Sequence, residues 1–240
     1  MRSNSSAVRP PGRRAGDTVT APGFHGKLRH HGDFVTRRLP PAMLQPFDAW
    51  LQAALVRSRA ALGEAWLPAY LNGPLWRFVL APGVCGPQAW AGVMMPSADR
   101  VGRAFPLTIA AGLDGAPSLH DCLVAHAGWF GQVEDLALST LEDAFSLAAF
   151  DAQMGVLAGA PRPGGMTAAP AAGLQVGALA DGVLTAIAHE GIAGCSAWWT
   201  EGAERVAPCL ARCPGLPPPA AFAALLDGCW QAHGWSVAGS

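Results

Sequence analysis

Two seven-residue runs constrain this chain more than any other feature. Ala89-Trp90-Ala91-Gly92-Val93-Met94-Met95 and Phe105-Pro106-Leu107-Thr108-Ile109-Ala110-Ala111 are apolar on both alternating faces. A strand exposed on one side alternates apolar and polar residues, because successive side chains point to opposite faces. Strands apolar on both sides belong in the middle of a sheet covered twice. The covering layers must be helices, and the helical patterns on either side of the runs supply them. Leu75–Leu80, bounded by Asn72-Gly73-Pro74 and Pro82-Gly83, is a further β-rich segment. Pro106 cannot donate to a ladder and is expected at the start of its strand.

Before these strands, Phe47, Trp50, Leu51, Ala54, Leu55, Ser58, Ala61 and Leu62 recur at helical spacing. They predict an amphipathic helix over about 43–63 with Asp48, Gln52, Arg57 and Arg59 off its apolar stripe. A shorter helix over Glu64–Leu71 stops at Asn72-Gly73-Pro74. After the strands, a long helix is expected over about 117–144, with Asp121, Gln132, Glu134, Asp135 and Glu142 outside its stripe, and another over 147–157. The Gly/Pro-rich stretch at about 158–173 reads as a flexible linker or loop. A helix-like piece near 177–189 follows, then a strand at Ser196–Thr200, a turn at Glu201-Gly202, a partner strand at Val206–Leu210 and a last helix from Ala220 to about Ala232. Residues 1–21, rich in Ser, Arg, Pro and Gly, read as a disordered tail. The expectation is one α/β domain over 22–235, a three-layer sandwich with a mostly antiparallel central sheet and helices on both faces.

Composition excludes several function classes. The chain has 16 Lys and Arg against 17 Asp and Glu, a net charge of -1, which argues against nucleic acid as a partner. No apolar run is long enough for a transmembrane helix, and the basic N-terminus lacks the apolar core of a secretory signal. The composition of that terminus resembles an organelle transit peptide, but Pro10, Pro11 and Gly12 break any amphipathic helix there. Apolar residues make up 51% and charged residues 14%, which points to a large core and one adhesive face. The six cysteines contain no CxxC pair, and five lie among apolar neighbours, which fits reduced thiols in a cytoplasmic protein.

Further residues resemble a known family. Gly23-Phe24-His25-Gly26-Lys27 and Gly32-Asp33-Phe34-Val35 are similar to the opening of TagF (ImpM) proteins. Asp48-Ala49-Trp50-Leu51, Ser58-Arg59, Trp76-Arg77-Phe78, Gly83-Val84-Cys85-Gly86, Met95-Pro96-Ser97, Asp99-Arg100-Val101-Gly102-Arg103 and Phe105-Pro106-Leu107-Thr108 continue the order. Trp198-Trp199-Thr200-Glu201-Gly202 resembles the closing strand and turn. The likeness spans about 23–230 and is densest over 23–110; His30-His31 departs from it. It implies a cytoplasmic, non-enzymatic negative regulator of type VI secretion. Such a regulator acts after translation by binding a forkhead-associated scaffold protein, with a separate serine/threonine phosphatase as a further partner. The family offers no agreed catalytic residues to carry over, and no cofactor is expected.

Candidate partner-binding positions are Lys27, His31, Asp33 and Arg37 in the opening block, Arg100 and Arg103 in the Asp99–Arg103 motif, and Trp198. Two arginines three apart at a strand entry could grip a carboxylate or phosphate bidentately. The preferred alternative is an internal ion pair to Asp33 or Asp48 that fixes the loop. Trp198 and Trp199 are strand neighbours facing opposite sides, so one is a candidate surface anchor. The rival functional class is a metal-dependent hydrolase or phosphotransfer accessory using His25, His30, His31 and Asp33. Those four are chemically sound ligands, yet their spacing matches no metal motif, and a surface loop with turns at Gly26 and Gly32 is the plainer reading. No G-x-S-x-G elbow surrounds Ser97 or Ser196, and the Gly-rich stretches lack the Lys-Ser/Thr ending of a phosphate loop.

Overall fold

A computed structural model describes residues 21–114, 119–157, 173–178 and 193–238. The elements are β1 (Gly23–Gly26), β2 (Val35–Arg37), α1 (Pro41–Leu62), α2 (Trp66–Leu71), β3 (Trp76–Leu80), β4 (Ala89–Met95), β5 (Leu107–Leu113), α3 (Leu119–Leu123), α4 (Ala127–Ser139), α5 (Leu147–Val156), β6 (Gln175–Ala178), β7 (Cys195–Thr200), β8 (Cys209–Pro214) and β9 (Ser236–Val237), with short helical turns between β8 and β9. The strands form one sheet in the order β2-β1-β5-β4-β3-β7-β8-β6-β9. Every pairing is antiparallel except β6 with β9.

The strands apolar on both faces lie where their pattern requires. β4 sits between β3 and β5, paired from Ala89↔Leu113 to Met95↔Leu107. Its odd residues Ala89, Ala91, Val93 and Met95 face one core and Trp90 and Met94 the other. The core met by the odd residues is closed by α3, α4 and α5, and the one met by Trp90 and Met94 by α1, α2 and the C-terminal turns. The α/β architecture, with a mostly antiparallel sheet between helical layers, is therefore the expected one. β5 begins directly after Pro106, which needs no ladder N–H there.

α1 opens with Pro41 in its first turn, where a missing N–H costs nothing. It ends at Gly63, whose N–H bonds Arg59 O. Its buried stripe includes Phe47, Trp50 and Leu51. Covering each such side chain contributes roughly 1.5–3 kcal/mol. Trp50 also donates from Nε1 to Pro217 O (2.6 Å), which ties α1 to the distant end of the chain.

Several local expectations are corrected. The opening segment is not wholly surface loop: Gly23–Gly26 and Val35–Arg37 pair as strands, and β1 joins β5. Gly26 has φ +145, and a Cβ there would lie 2.2 Å from Pro106 O, so only glycine permits this approach. The helix expected over 117–144 is broken between α3 and α4, where His126 N bonds Asp121 O, a wider turn than an α-helix makes. Glu134, assigned to the wet side of that helix, turns in to meet Arg77. The strand expected at 206–210 runs from Cys209 to Pro214, since Pro208 cannot donate. The last helix is divided at Gly228, whose left-handed φ of +71 and close approach to Arg205 O (2.4 Å from a built Cβ) exclude a side chain. The helix-like piece near 177–189 begins in strand β6, and its residues 179–189 lie outside those described, as do 1–20 of the tail and 158–172 of the linker.

Candidate functional site

The motif residues Lys27 and Asp99–Arg103 converge at one end of β1. Asp99 accepts from Lys27 Nζ (2.6 Å), Arg103 Nε (2.6 Å) and the backbone N–H groups of Val101 (3.0 Å) and Arg103 (2.8 Å). Burial opposes ionisation of Asp99. The hydrogen bonds from Lys27, Arg103 and Val101 outweigh it and hold the carboxyl well below the usual carboxylate range. The internal ion pair read from sequence is thus present, but its acid is Asp99 and not Asp33 or Asp48. Arg103 also donates from Nη2 to Gly32 O (2.6 Å), and Arg100 N donates to His31 O (3.1 Å), so the Asp99–Phe105 loop clamps the turn before β2.

This network continues towards α2. Ser97 Oγ donates to Lys27 O (2.8 Å), and the Tyr70 hydroxyl both donates to Ser97 O (2.8 Å) and accepts from Ser97 N–H (3.0 Å). Burial pushes the Tyr70 phenol above its ordinary range. Tyr70 stacks on Trp66 (4.9 Å between centroids), and the Arg59 guanidinium lies 4.1 Å over the Trp66 ring. A chain of contacts therefore links Arg59 on α1 to Arg103 on the loop, and each guanidinium is held by buried partners.

Arg59 and Arg103 face one open groove. Its two adjoining hollows, about 570 and 610 Å³, share Arg59 and Ala104. Gln52, Leu55, Val56, Arg59, Ala60 and Gly63 line it from α1 at spacings of three and one, the signature of one helix stripe. Val56 is 69% exposed and Leu67, across the groove, 47%. Phe105 lines the floor and meets Phe34 edge-on (4.7 Å), and Phe34 is itself 47% exposed. Lys27 Nζ lies 4.7 Å over the Phe34 ring.

The sequence candidates divide accordingly. Arg103 lines the groove, Arg100 is exposed on the same loop, and Asp33 and Arg37 are exposed on the chain around β2. Lys27 is buried in the Asp99 network. His31 contributes its carbonyl to Arg100 and its ring to Phe145. Trp198 is a correction: it is 0% exposed, packed on Trp50 and Phe78 beneath α1, with Nε1 bonded to Ser196 Oγ (2.9 Å). Both faces of β7 are covered, so neither adjacent tryptophan reaches solvent. Arg59, Val56, Leu67 and Phe34 were not singled out as binding positions. Their signal was available, in apolar Val56 falling off the core stripe and in Ser58-Arg59 among the motifs.

The four residues of the metal alternative do not converge. His25 bonds Thr36 Oγ1 (2.7 Å) through Nδ1 and Asp48 Oδ1 (3.2 Å) through Nε2, with Phe34 stacked on its ring. That hydroxyl–imidazole–carboxylate chain uses both ring nitrogens to pin the β1–β2 hairpin onto α1. His30 instead bonds Glu142 O (2.9 Å), and Asp33 is exposed. Among the described residues no group of three or more His, Cys, Asp or Glu side chains is arranged to hold a metal ion. No described helix is long and apolar enough to cross a membrane.

Comparison with known proteins places these observations. The family described as TagF N-terminal domain, type VI secretion system-associated, matches residues 23–157. That span carries β1–β5, α1–α5 and the whole groove. Among solved structures, the crystal structure of PA0076 from Pseudomonas aeruginosa PAO1 at 2.05 Å resolution is similar, with 42% identity and a TM-score of 0.74. The alignment covers 86% of this chain and 94% of that one. No curated protein matches the chain.

Proposed function

The chain belongs to the TagF N-terminal-domain family associated with type VI secretion, and on that premise we propose that it is a cytoplasmic negative regulator of the system. It acts by holding a forkhead-associated scaffold protein rather than by catalysis, with a separate serine/threonine phosphatase as its functional counterpart. The observation that carries this reading is the groove itself: an open trough with exposed Val56 and Leu67, and with two arginines held in place by buried partners. Such a trough suits a protein segment, since exposed apolar side chains beside fixed charges are what a partner surface covers. Pre-set side chains also lower the ordering cost of association.

Calorimetric titration of the full chain against the forkhead-associated scaffold protein of the same bacterium tests it. The expected result is a dissociation constant of about a micromolar or tighter, a binding free energy near -8 kcal/mol. Absence of heat at protein concentrations of about 100 μM, confirmed by sedimentation, removes the scaffold as the partner.

A further inference from the structure

Resting on the regulator reading, we propose that the groove between α1–α2 and the Asp99–Phe105 loop docks an acidic segment of the partner protein. Its carboxylates meet Arg59 and Arg103, and an apolar side chain enters between Val56, Leu67 and Phe105. The argument starts from charge. The chain as a whole carries a net charge of -1, yet the groove is lined by Arg59 and Arg103 against one carboxylate, Glu64. Arg100 adds a third cation, exposed on the same loop.

These cations are held in place with hydrogen-bonding capacity to spare. Among the described residues Arg59 makes a ring contact with Trp66 and no ion pair. Arg100 is fixed through its backbone N–H and exposed, and its side chain makes no ion pair among the described residues. Arg103 spends Nε on Asp99 and Nη2 on Gly32 O, and its anchoring acid is already shared with Lys27. A guanidinium pinned through two nitrogens keeps further N–H donors for an incoming carboxylate.

Apolar exposure decides between kinds of acidic ligand. A free anion would meet only the arginines and leave Val56, Leu67 and Phe34 in water. A peptide carrying both carboxylates and aliphatic side chains covers both features. α1 presents its groove residues as one stripe with the cation near the helix end, so a segment lying along the helix meets Val56 before Arg59. An anionic membrane surface would need cations spread over a flat face, whereas these converge on a trough.

The test is calorimetric titration of the scaffold protein with four full-length chains: wild type, Arg59→Glu, Val56→Asp and, as a control on the same helix outside the groove, Arg57→Glu. Near-UV circular dichroism verifies that each is folded. Arg59→Glu and Val56→Asp are each expected to weaken binding at least about tenfold, while Arg57→Glu leaves it unchanged. Raising salt from about 50 to about 300 mM weakens the wild type several-fold and Arg59→Glu much less. In a parallel arm, a labelled peptide alternating Glu and Leu binds the wild type by fluorescence polarisation, and its Gln/Leu counterpart does not.

If the wild type binds the scaffold and the two groove variants bind equally well, the groove assignment is wrong and the regulator reading stands. If the wild type does not bind the scaffold, that reading falls, and the peptide arm still judges the groove. Equal binding of the Glu/Leu and Gln/Leu peptides overturns the acidic specificity. Binding to phosphatidylglycerol vesicles that is lost in Arg59→Glu, with scaffold binding intact, overturns the protein-segment assignment in favour of a membrane.

Discussion

Replacing Arg77 with methionine removes the connection between β3 and α4 while keeping the aliphatic stem. Arg77 meets Glu134 fork to fork, Nε to Oε1 at 2.6 Å and Nη2 to Oε2 at 2.8 Å, and Nη1 reaches Glu201 Oε1 at 2.9 Å. Hydrogen bonding to Glu134 raises the guanidinium pKa above its ordinary value against the opposing effect of burial. The two side chains are 15% and 19% exposed, while Glu201 is 70% exposed. Exposed pairs contribute roughly 0–1 kcal/mol, and breaking a buried pair costs roughly 3–5 kcal/mol. The Arg77–Glu134 pair lies between these limits, so Arg77→Met is expected to lose about 2–3 kcal/mol. Arg77→Lys should lose about 1–2 kcal/mol, because an ammonium cannot span both carboxylate oxygens. Glu201→Gln should stay within about 0.5 kcal/mol. Urea unfolding followed by tryptophan fluorescence reads all three, and the Arg77→Met/Glu134→Leu double variant should recover part of the loss by removing the stranded carboxylate. Equal losses in Glu201→Gln and Glu134→Gln, or an Arg77→Met chain as stable as the wild type, would refute the assignment of the bidentate pair as the stabilising contact.

Asp99 is held ionised by its partners, so its folded pKa is depressed. Its contribution is complete above the unfolded carboxylate value and is lost as pH falls through the folded one. Urea midpoints measured from neutral pH downward should therefore fall below about pH 4, and Asp99→Asn should start lower and fall less. Cys229 is exposed while Cys85, Cys122, Cys195, Cys209 and Cys213 are buried. Burial pushes the thiols of Cys85, Cys122 and Cys209 up to about 12. A thiol reagent at mild alkaline pH should accordingly label one cysteine in the native chain, slowly because Asp227 raises the Cys229 pKa, and all six after denaturation; rapid native labelling of more than one contradicts the burial. Trp198→Ala should cost about 3–5 kcal/mol of stability, and Trp198→Phe should keep scaffold binding while lowering the thermal midpoint. Lost binding in a folded Trp198→Phe chain would restore Trp198 as a contact residue.

Long-range architecture was legible because it depends on periodicity. The two runs at 89–95 and 105–111 could not be apolar on both faces without two covering layers, and the stripes around 47–62 and 147–156 supplied part of them. What escaped the pattern was decided by single contacts. β1 is four residues long and includes His25, a polar side chain whose burial is compensated by Thr36 and Asp48 eleven and twenty-three residues away. Glu134 looks solvent-facing until Arg77 is placed opposite it. The strand expected at 206–210 lies at Cys209–Pro214, with Arg212 buried inside it, a polar residue that no alternation pattern assigns to a core.

The site was legible in a different way. The Asp99–Arg103 motif announced a charged loop, and sequence gave the right kind of interaction with the wrong acid. Pairing depends on which carboxylate a turn brings within 3 Å, and Asp99 reaches its arginine because the loop folds back over four residues. Trp198 failed for the opposite reason: strand alternation fixed that Trp198 and Trp199 face opposite ways, but not that both faces were covered. Burial of both follows only once α1 and α4 are placed on either side of β7. Arg59 was visible as an off-stripe residue, and its meaning came from Trp66 and Tyr70, which are committed to the core and hold it over the groove. A binding surface of this kind is assembled by residues whose own contacts are structural: Tyr70 secures Ser97, Ser97 secures Lys27, Lys27 secures Asp99, and Asp99 presents Arg103. Substitution of a buried member, such as Tyr70→Phe, should therefore weaken partner binding without touching the partner, because it releases the strand entry that carries the loop.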